Sequence, residues 1–296
     1  MDHVTFLKSL PPSDKAWLTR RSTAAGLWHL TGYLAAIGVF GAYIVAQLPG
    51  WPLAMLPLGI LLCFLFTLSH ECTHQTPFAA PWLSNWVGHA ISPIIALPFT
   101  WFRYFHLAHH RHTNDPNNDP ELEGEGRPGT RRAYAVYLSG WSYWSGGLRT
   151  VWRNAFGPIT APYLPERQHA AIRREARILL ALYCAALVLL PVFPMLFWLW
   201  IVPVLLGQPF LRLYLLAEHG HCPPVANMLE NTRTTFTNQL VRWLAWNMPY
   251  HAEHHSYPAV PFHRLPDLHA RMRQHLQSTS QGYAAFTRVY LKQLGD

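Results

Sequence analysis

Three groups of histidines stand out. His106, His109 and His110 form a His-x-x-His-His pattern, and His251, His254 and His255 repeat it about 145 residues later. An HxxxH pair, His70 and His74, precedes both. Spacings of three and four put side chains on one face of a helix, so each group can aim several imidazoles at one point. Imidazole suits zinc, copper and iron, and one ion takes at most about six ligands. Eight histidines exceed the needs of one ion, so the pattern predicts two. Glu253 is the only carboxylate inside either HxxHH group, which separates this pattern from bundles whose paired metals sit on Glu-x-x-His motifs. The expected ligand shell is nitrogen.

Other residues near these groups are candidates for supporting roles. His219 and His221 follow the last long apolar stretch in the segment Glu218-His219-Gly220-His221. His219 is the better ligand because no glycine separates it from the helix. His112 stands two residues after His110 and does not share its helical face. Asp115 and Asp119 lie in Asn-Asp-Pro repeats that build chain reversals, and either carboxylate is also suited to accepting the free ring N–H of a ligand histidine. Asn247 is a candidate helix cap before Pro249 or a holder of a metal-bound water. Glu71 lies between His70 and His74, where HExxH matches the helical motif of zinc proteases. A zinc site of that kind needs three protein ligands and an open position, and would leave both HxxHH groups unused. His3, His29, His89, His169, His263, His269 and His275 are expected at interfaces or on the surface.

The elements that must carry these groups are apolar. Hydrophobic residues make up 50% of the 296 residues and charged ones 13%. Residues 22–70, 72–102 and 178–211 contain no Asp, Glu, Lys or Arg, and runs beyond about 18 apolar residues fit a bilayer. The expectation is an all-α membrane protein, one domain over residues 1–296, with four transmembrane helices in two hairpins at about 24–69 and 170–217. Arg173, Arg174 and Arg177 would snorkel to extend the second hairpin. The aromatic stretches 82–101 and 134–156 are expected at the interface. Residues 103–169 and 218–296 would form a helical cap holding the metal site. Neither hairpin turn carries a basic residue, whereas Lys8, Lys15, Arg20, Arg21, Arg103, Arg111, Arg131, Arg132 and Arg233 lie on the other side. The positive-inside rule then makes both termini and every histidine group cytoplasmic.

Further features exclude other classes. The four cysteines have no CxxC spacing and sit in or beside apolar segments, so they are expected to be packing residues. The first apolar run is too long for a cleaved leader. A net charge of +8 fits basic loops beside anionic lipid, and no nucleic-acid motif accompanies it. It also leaves room for an acidic soluble partner. A metal transporter would bury polar groups inside the spans, yet His29 is the main ionisable one there.

HECTH at 70–74, HLAHH at 106–110 and HAEHH at 251–255 together resemble the three histidine boxes of the membrane fatty acid desaturase and hydroxylase superfamily. The resemblance covers about residues 25–275 and is closest to the acyl-lipid desaturases of bacteria, through the third-box segment NMPYHAEHHSYPAVPF. It implies two irons on the cytoplasmic face of four membrane helices, with an added histidine after the fourth; His219 matches that position. Leu215 stands where stearoyl desaturases carry an asparagine four residues before that histidine. The segment HRHTNDPNNDPE is also similar to carotenoid ring hydroxylases, although their first box usually has Asp at the position of Glu71. The implied activity is O2-dependent desaturation of a fatty acyl chain, with carotenoid or alkyl hydroxylation or ketolation as the alternative. No dinucleotide motif or cysteine cluster is present, so electrons must come from a ferredoxin-like protein or a b-type cytochrome. Arg103, Arg111, Arg131 and Arg132 are candidates for its docking patch, and residues 77–102 for the wall of a lipid channel.

Overall fold

The computed structural model describes residues 1–123 and 126–296. Two short helices, α1 (His3–Ser9) and α2 (Pro12–Leu18), lead into α3 (Thr23–Val45), whose first turn is capped by the Ser22 hydroxyl accepting from Ala25 N. The turn predicted at 48–52 leads into α4 (Trp51–Thr73). Both α3 and α4 have 23 residues, about 35 Å at 1.5 Å per residue, enough to cross the roughly 30 Å hydrocarbon core. Helix α4 is the central element, packed against α3, against α5 (Pro81–Ile95) and against α10 (Val202–His219). Its crossing with α10 is a backbone contact. A Cβ at Gly59 would lie 1.8 Å from the Pro203 carbonyl oxygen, and one at Gly207 2.1 Å from the Gly59 oxygen. Two hydrogen bonds beside it satisfy polar atoms that lipid would leave unpaired: the Tyr33 hydroxyl donates to Leu61 O and the Cys63 thiol to Val204 O.

Among the described residues three segments are long and apolar enough to cross a membrane, Pro12–Val45, Trp51–Thr73 and Phe197–His219. The expected fourth, α9 (His169–Leu189), is long enough at 21 residues but too charged to be among them. Arg173, Arg174, Glu175 and Arg177 fill its first turns, which leaves an apolar run only from Ile178 onward. Glu175 is also engaged within the protein. Its carboxylate accepts from the backbone N–H of Phe99 and Thr100, each at 2.8 Å, and from His89 Nδ1 at 2.9 Å. It therefore caps the first turn of α6 (Phe99–His112), where a negative charge also meets the positive end of the helix dipole.

The aromatic stretches form α5, the amphipathic pair α7 (Arg131–Leu138) and α8 (Trp141–Phe156), and the start of α6. Trp82, Trp86, Trp141 and Trp152 are exposed, as an interfacial belt requires. The C-terminal part is a chain of short elements: α11 (Met228–Asn231), β1 (Thr234–Thr235), α12 (Gln239–Leu244), α13 (His251–Ser256), α14 (Leu265–Met272), β2 (Thr279–Ser280) and α15 (Tyr283–Lys292). β1 and β2 pair in parallel, Thr234 opposite Thr279. The N-terminal helices are fastened to this part by Arg271 Nε donating to Asp14 at 3.0 Å and by the Arg264 guanidinium lying 3.6 Å from the Trp17 ring centre.

Candidate metal centre

Four helices meet at one point. The last turn of α4 brings His70, and His74 caps its C-terminus. Helix α6 carries His106, His109 and His110 on one side, α10 ends on His219, and α13 supplies His251, His254 and His255. The ring nitrogens fall into two groups within which every atom lies within 4.8 Å of the others. The first is His70, His74, His106, His110 and His254; the second is His109, His219 and His255. His251 joins the second, its Nε2 being 3.2 Å from that of His219. The two groups touch, with the rings of His110 and His255 stacked at 3.9 Å.

Both ring nitrogens of His70, His110 and His254 are buried without any hydrogen-bond partner, as is Nε2 of His255. An unpaired buried polar atom costs about 1–3 kcal/mol, and so many at one point mark a place built for a ligand with positive charge. Where the other ring nitrogen is paired, it is paired with an acceptor. His109 Nδ1 donates to Asp119 Oδ1 at 2.9 Å, His255 Nδ1 bonds the Thr113 hydroxyl at 3.0 Å, and His219 Nδ1 bonds Asn231 O at 3.3 Å. These bonds hold the proton on Nδ1 and leave Nε2 as the lone-pair nitrogen facing inward. The donors are all nitrogen and lie in two adjacent sets, which fits two ions of the zinc, copper or iron type.

Electrostatics favours neutral, metal-ready imidazoles. Burial pushes His74 down to about 3. Burial, together with neighbouring imidazoles, also holds His106, His110, His251, His254 and His255 far below the ordinary histidine range. His109 goes the other way: burial lowers it, but Glu121 and Asp119 outweigh burial and raise it.

The other candidates have distinct places. The Glu71 carboxylate lies 3.8 Å from His254 Nδ1 and accepts from Thr76 Oγ1 and Phe262 N. Asp115 accepts from Asn117 N and Asn118 Nδ2, the turn-building role of its motif. His112 ends α6 outside both groups, and His221 stacks on Tyr290 with ring centres 4.3 Å apart. Asn247 sits at φ 59° in the turn before α13, and its amide donates to Phe262 O; Tyr250 holds the N-cap position and makes no side-chain cap bond. Glu253 points away from the imidazoles and ties α13 to Thr234 and His269. Several histidines expected at interfaces or on the surface have protein partners: His89 bonds Glu175, His269 bonds Glu253, His29 bonds Trp243 O, His3 bonds Asn227 and His169 bonds Leu164 O. Arg103, expected in an exposed patch, is turned inward to Cys72 O and Asn85.

Some residues were not picked out from the chain alone. Glu218 Oε1 lies 3.3 Å from His251 Nδ1, and Glu121 Oε2 3.7 Å from His109 Nδ1. Glu218 carries a legible signal, a lone carboxylate next to a candidate ligand at the end of an apolar helix. Thr113 and the Asn231 carbonyl carry none.

A cavity of about 1240 Å³ opens beside the centre. His219 and Glu218 are among its lining residues, together with Phe66, Phe102, Leu215 and Leu216. Of the uncharged stretch expected as a channel wall, only Ala96, Leu97, Trp101 and Phe102 take part.

The fatty acid desaturase family model matches residues 46–287. The chain is similar to a fatty acid conjugase of Calendula officinalis, 23% identical over 78% of this chain and 68% of that one. It is also similar to an sn-1 acyl-lipid omega-3 desaturase (ferredoxin) of Nostoc, 30% identical over 31% of this chain and 26% of that one. A sphingolipid delta(4)-desaturase/C4-monooxygenase of Mus musculus is 26% identical over 67% of this chain and 58% of that one. Apart from the conjugase, the matched region spans from about a quarter to under two thirds of these relatives. With the family match running across most of the chain and over all three histidine boxes, this protein belongs to the fatty acid desaturase family.

Proposed function

We propose that the protein is a membrane-bound oxidoreductase that desaturates the acyl chain of a fatty acid or lipid, using dioxygen and electrons from outside. The observation that carries this reading is the convergence of nine imidazoles in two adjacent sets, with His219 lining a cavity that also presents Phe66, Phe102, Leu215 and Leu216. His70, His74, His106, His110 and His254 would hold one iron, and His109, His219, His251 and His255 the other. When bound, the irons supply the oxidising power toward an unactivated C–H bond. Two hydrogens leave neighbouring carbons, and with two external electrons and two protons one dioxygen becomes two waters.

The chain's own residues position and protect. Phe66, Phe102, Leu215 and Leu216 exclude water from the stretch of acyl chain nearest His219 and fix which carbon lies there. Asp119 keeps the ring proton of His109 on Nδ1, and Glu218 faces the same atom of His251. The electron donor is a ferredoxin-like protein or a b-type cytochrome, the first in keeping with the name of the Nostoc relative. Helix α9 would make a fourth, short crossing, with the termini and the metal centre on the cytoplasmic side. Hydroxylation at the same centre is the second reading, favoured by the mouse relative, whose name carries both activities. The HExxH protease reading uses two of nine clustered imidazoles and runs against family membership.

Metal analysis of the purified protein, with lipid and pigment profiling of cells that do and do not express it, tests the proposal. Two irons per chain and a new double bond are expected. One zinc per chain, or unchanged lipids with altered pigments, would overturn it. His109→Ala should abolish activity and lower iron content while membrane insertion persists.

A further inference from the structure

The metal-centre cavity is larger than a fatty acid needs. A water-sized group takes about 30 Å³, so a chain of about twenty methylene-sized groups fills roughly half of the 1240 Å³. What lines the remainder is polar and basic. Four arginines border it: Arg127, Arg149, Arg153 and Arg212. Two are engaged within the protein, Arg127 donating to Asn114 and Arg212 lying over the Tyr143 ring. Arg149 and Arg153, one turn apart on α8, make no side-chain hydrogen bond or ion pair among the described residues. Next to them Asn154 also lines the cavity. It is 6% exposed, and its Nδ2 has no hydrogen-bond partner. Of the lining carboxylates, two serve the histidines and the third, Glu123, lies like Arg153 near Tyr163. Glu218 and Glu121 lie beside His251 and His109, and Glu123 is exposed.

Helix α8 also sets the depth of these groups. Trp141, Leu148, Trp152 and Phe156 form an exposed apolar face at helical spacing, the pattern of a helix lying in the headgroup region. Arg149 and Arg153 follow Leu148 and Trp152 by one residue each and so sit beside that face, at headgroup level. Resting on the proposed oxidation of an acyl chain at His219, we propose that Arg149, Arg153 and the Asn154 amide hold the phosphodiester of a membrane phospholipid whose acyl chain runs down the cavity. Two guanidinium groups and an amide donor match the charge and the acceptor oxygens of that group.

The test is lipid binding to the purified, iron-loaded protein in non-ionic detergent, followed by native mass spectrometry. The probes are 1-oleoyl-lysophosphatidylglycerol, oleic acid and mono-olein, which share one acyl chain. The wild type is expected to favour the phospholipid over mono-olein. R149A/R153A is expected to lose about ten- to hundredfold of the phospholipid affinity and to keep that for mono-olein and its iron, whereas R149K/R153K retains most of it. An unchanged phospholipid affinity in R149A/R153A would overturn the assignment. So would an equal loss for mono-olein, which would mean a changed cavity shape, or an equal loss for oleic acid, which would mean a carboxylate site. Displacement of the phospholipid by equimolar inorganic phosphate would overturn it in favour of a free-phosphate site. Binding with this preference but without oxidation of the bound lipid would refute the proposed function and leave the headgroup site standing.

Discussion

Removing the Glu175 carboxylate is expected to loosen the helix that carries the second histidine box. Glu175 accepts from Phe99 N, Thr100 N and His89, and Phe99 N has a second acceptor in Ser92 Oγ at 3.0 Å. In Glu175→Ala the backbone donor left without any partner is therefore Thr100 N, while the half-exposed His89 ring can turn to water. Loss of a helix cap costs about 1 kcal/mol, and loss of a negative charge at the helix start about 0.3–1 kcal/mol more. The orphaned, partly buried N–H adds about 1 kcal/mol, for a total of about 2–3 kcal/mol. Near 2 °C per kcal/mol for a chain of this size, the melting temperature in detergent should fall by about 4–6 °C. Glu175→Gln keeps one acceptor oxygen and loses the charge, so it should lose roughly half as much. Because α6 places His106, His109 and His110, metal should also leave Glu175→Ala faster. A Glu175→Ala protein that melts with the wild type would show that this cap does not hold α6 in place.

Asp119→Asn should weaken metal binding about ten- to hundredfold through His109, and equilibrium dialysis against a chelator that finds wild-type retention would contradict it. Gly59→Ala should destabilise by about 3 kcal/mol or more, since its Cβ would meet a backbone oxygen at 1.8 Å; monodisperse elution and wild-type melting would refute the close crossing. Acid should destabilise the metal-free protein. Unfolded imidazoles take protons near pH 6.5, whereas folded His74, His106, His110, His251, His254 and His255 remain neutral well below that. The unfolded state then binds more protons, so stability falls as pH drops through about 6.5, with His109 acting in the opposite sense. A melting temperature that is flat from pH 7.5 to 5.5 would sink this account.

The histidines were legible because helical spacing is local: three and four residues apart in HxxHH is enough to share a face. His219 was legible from position, at the end of an apolar helix. The roles of Asn247 and Glu253 depend instead on a turn with positive φ at Trp246 and Asn247 and on contacts with Thr234 and His269, which no local pattern encodes. The charged start of α9 was less legible for a similar reason. By position Arg173, Arg174 and Arg177 read as snorkelling groups, whereas Glu175 among them serves a helix start that lies 75 and 76 residues earlier. The headgroup-facing arginines on α8 gave no motif at all, since their meaning comes from a cavity assembled by distant parts of the chain.

The third box closes the centre from far along the chain: Phe262 N bonds Glu71 across a separation of 191 residues. At about 5–20 residues per second of synthesis, roughly ten to forty seconds pass between the two leaving the ribosome. During that interval His70 and His74 stand at the membrane edge without α13 over them. Iron delivered early would find an incomplete, open nest from which it could be lost or could react with oxygen unproductively. If the proposed irons are bound, their loading is expected late in biogenesis, and a cell that makes this protein faster than it can supply iron after synthesis should accumulate inserted but empty chains.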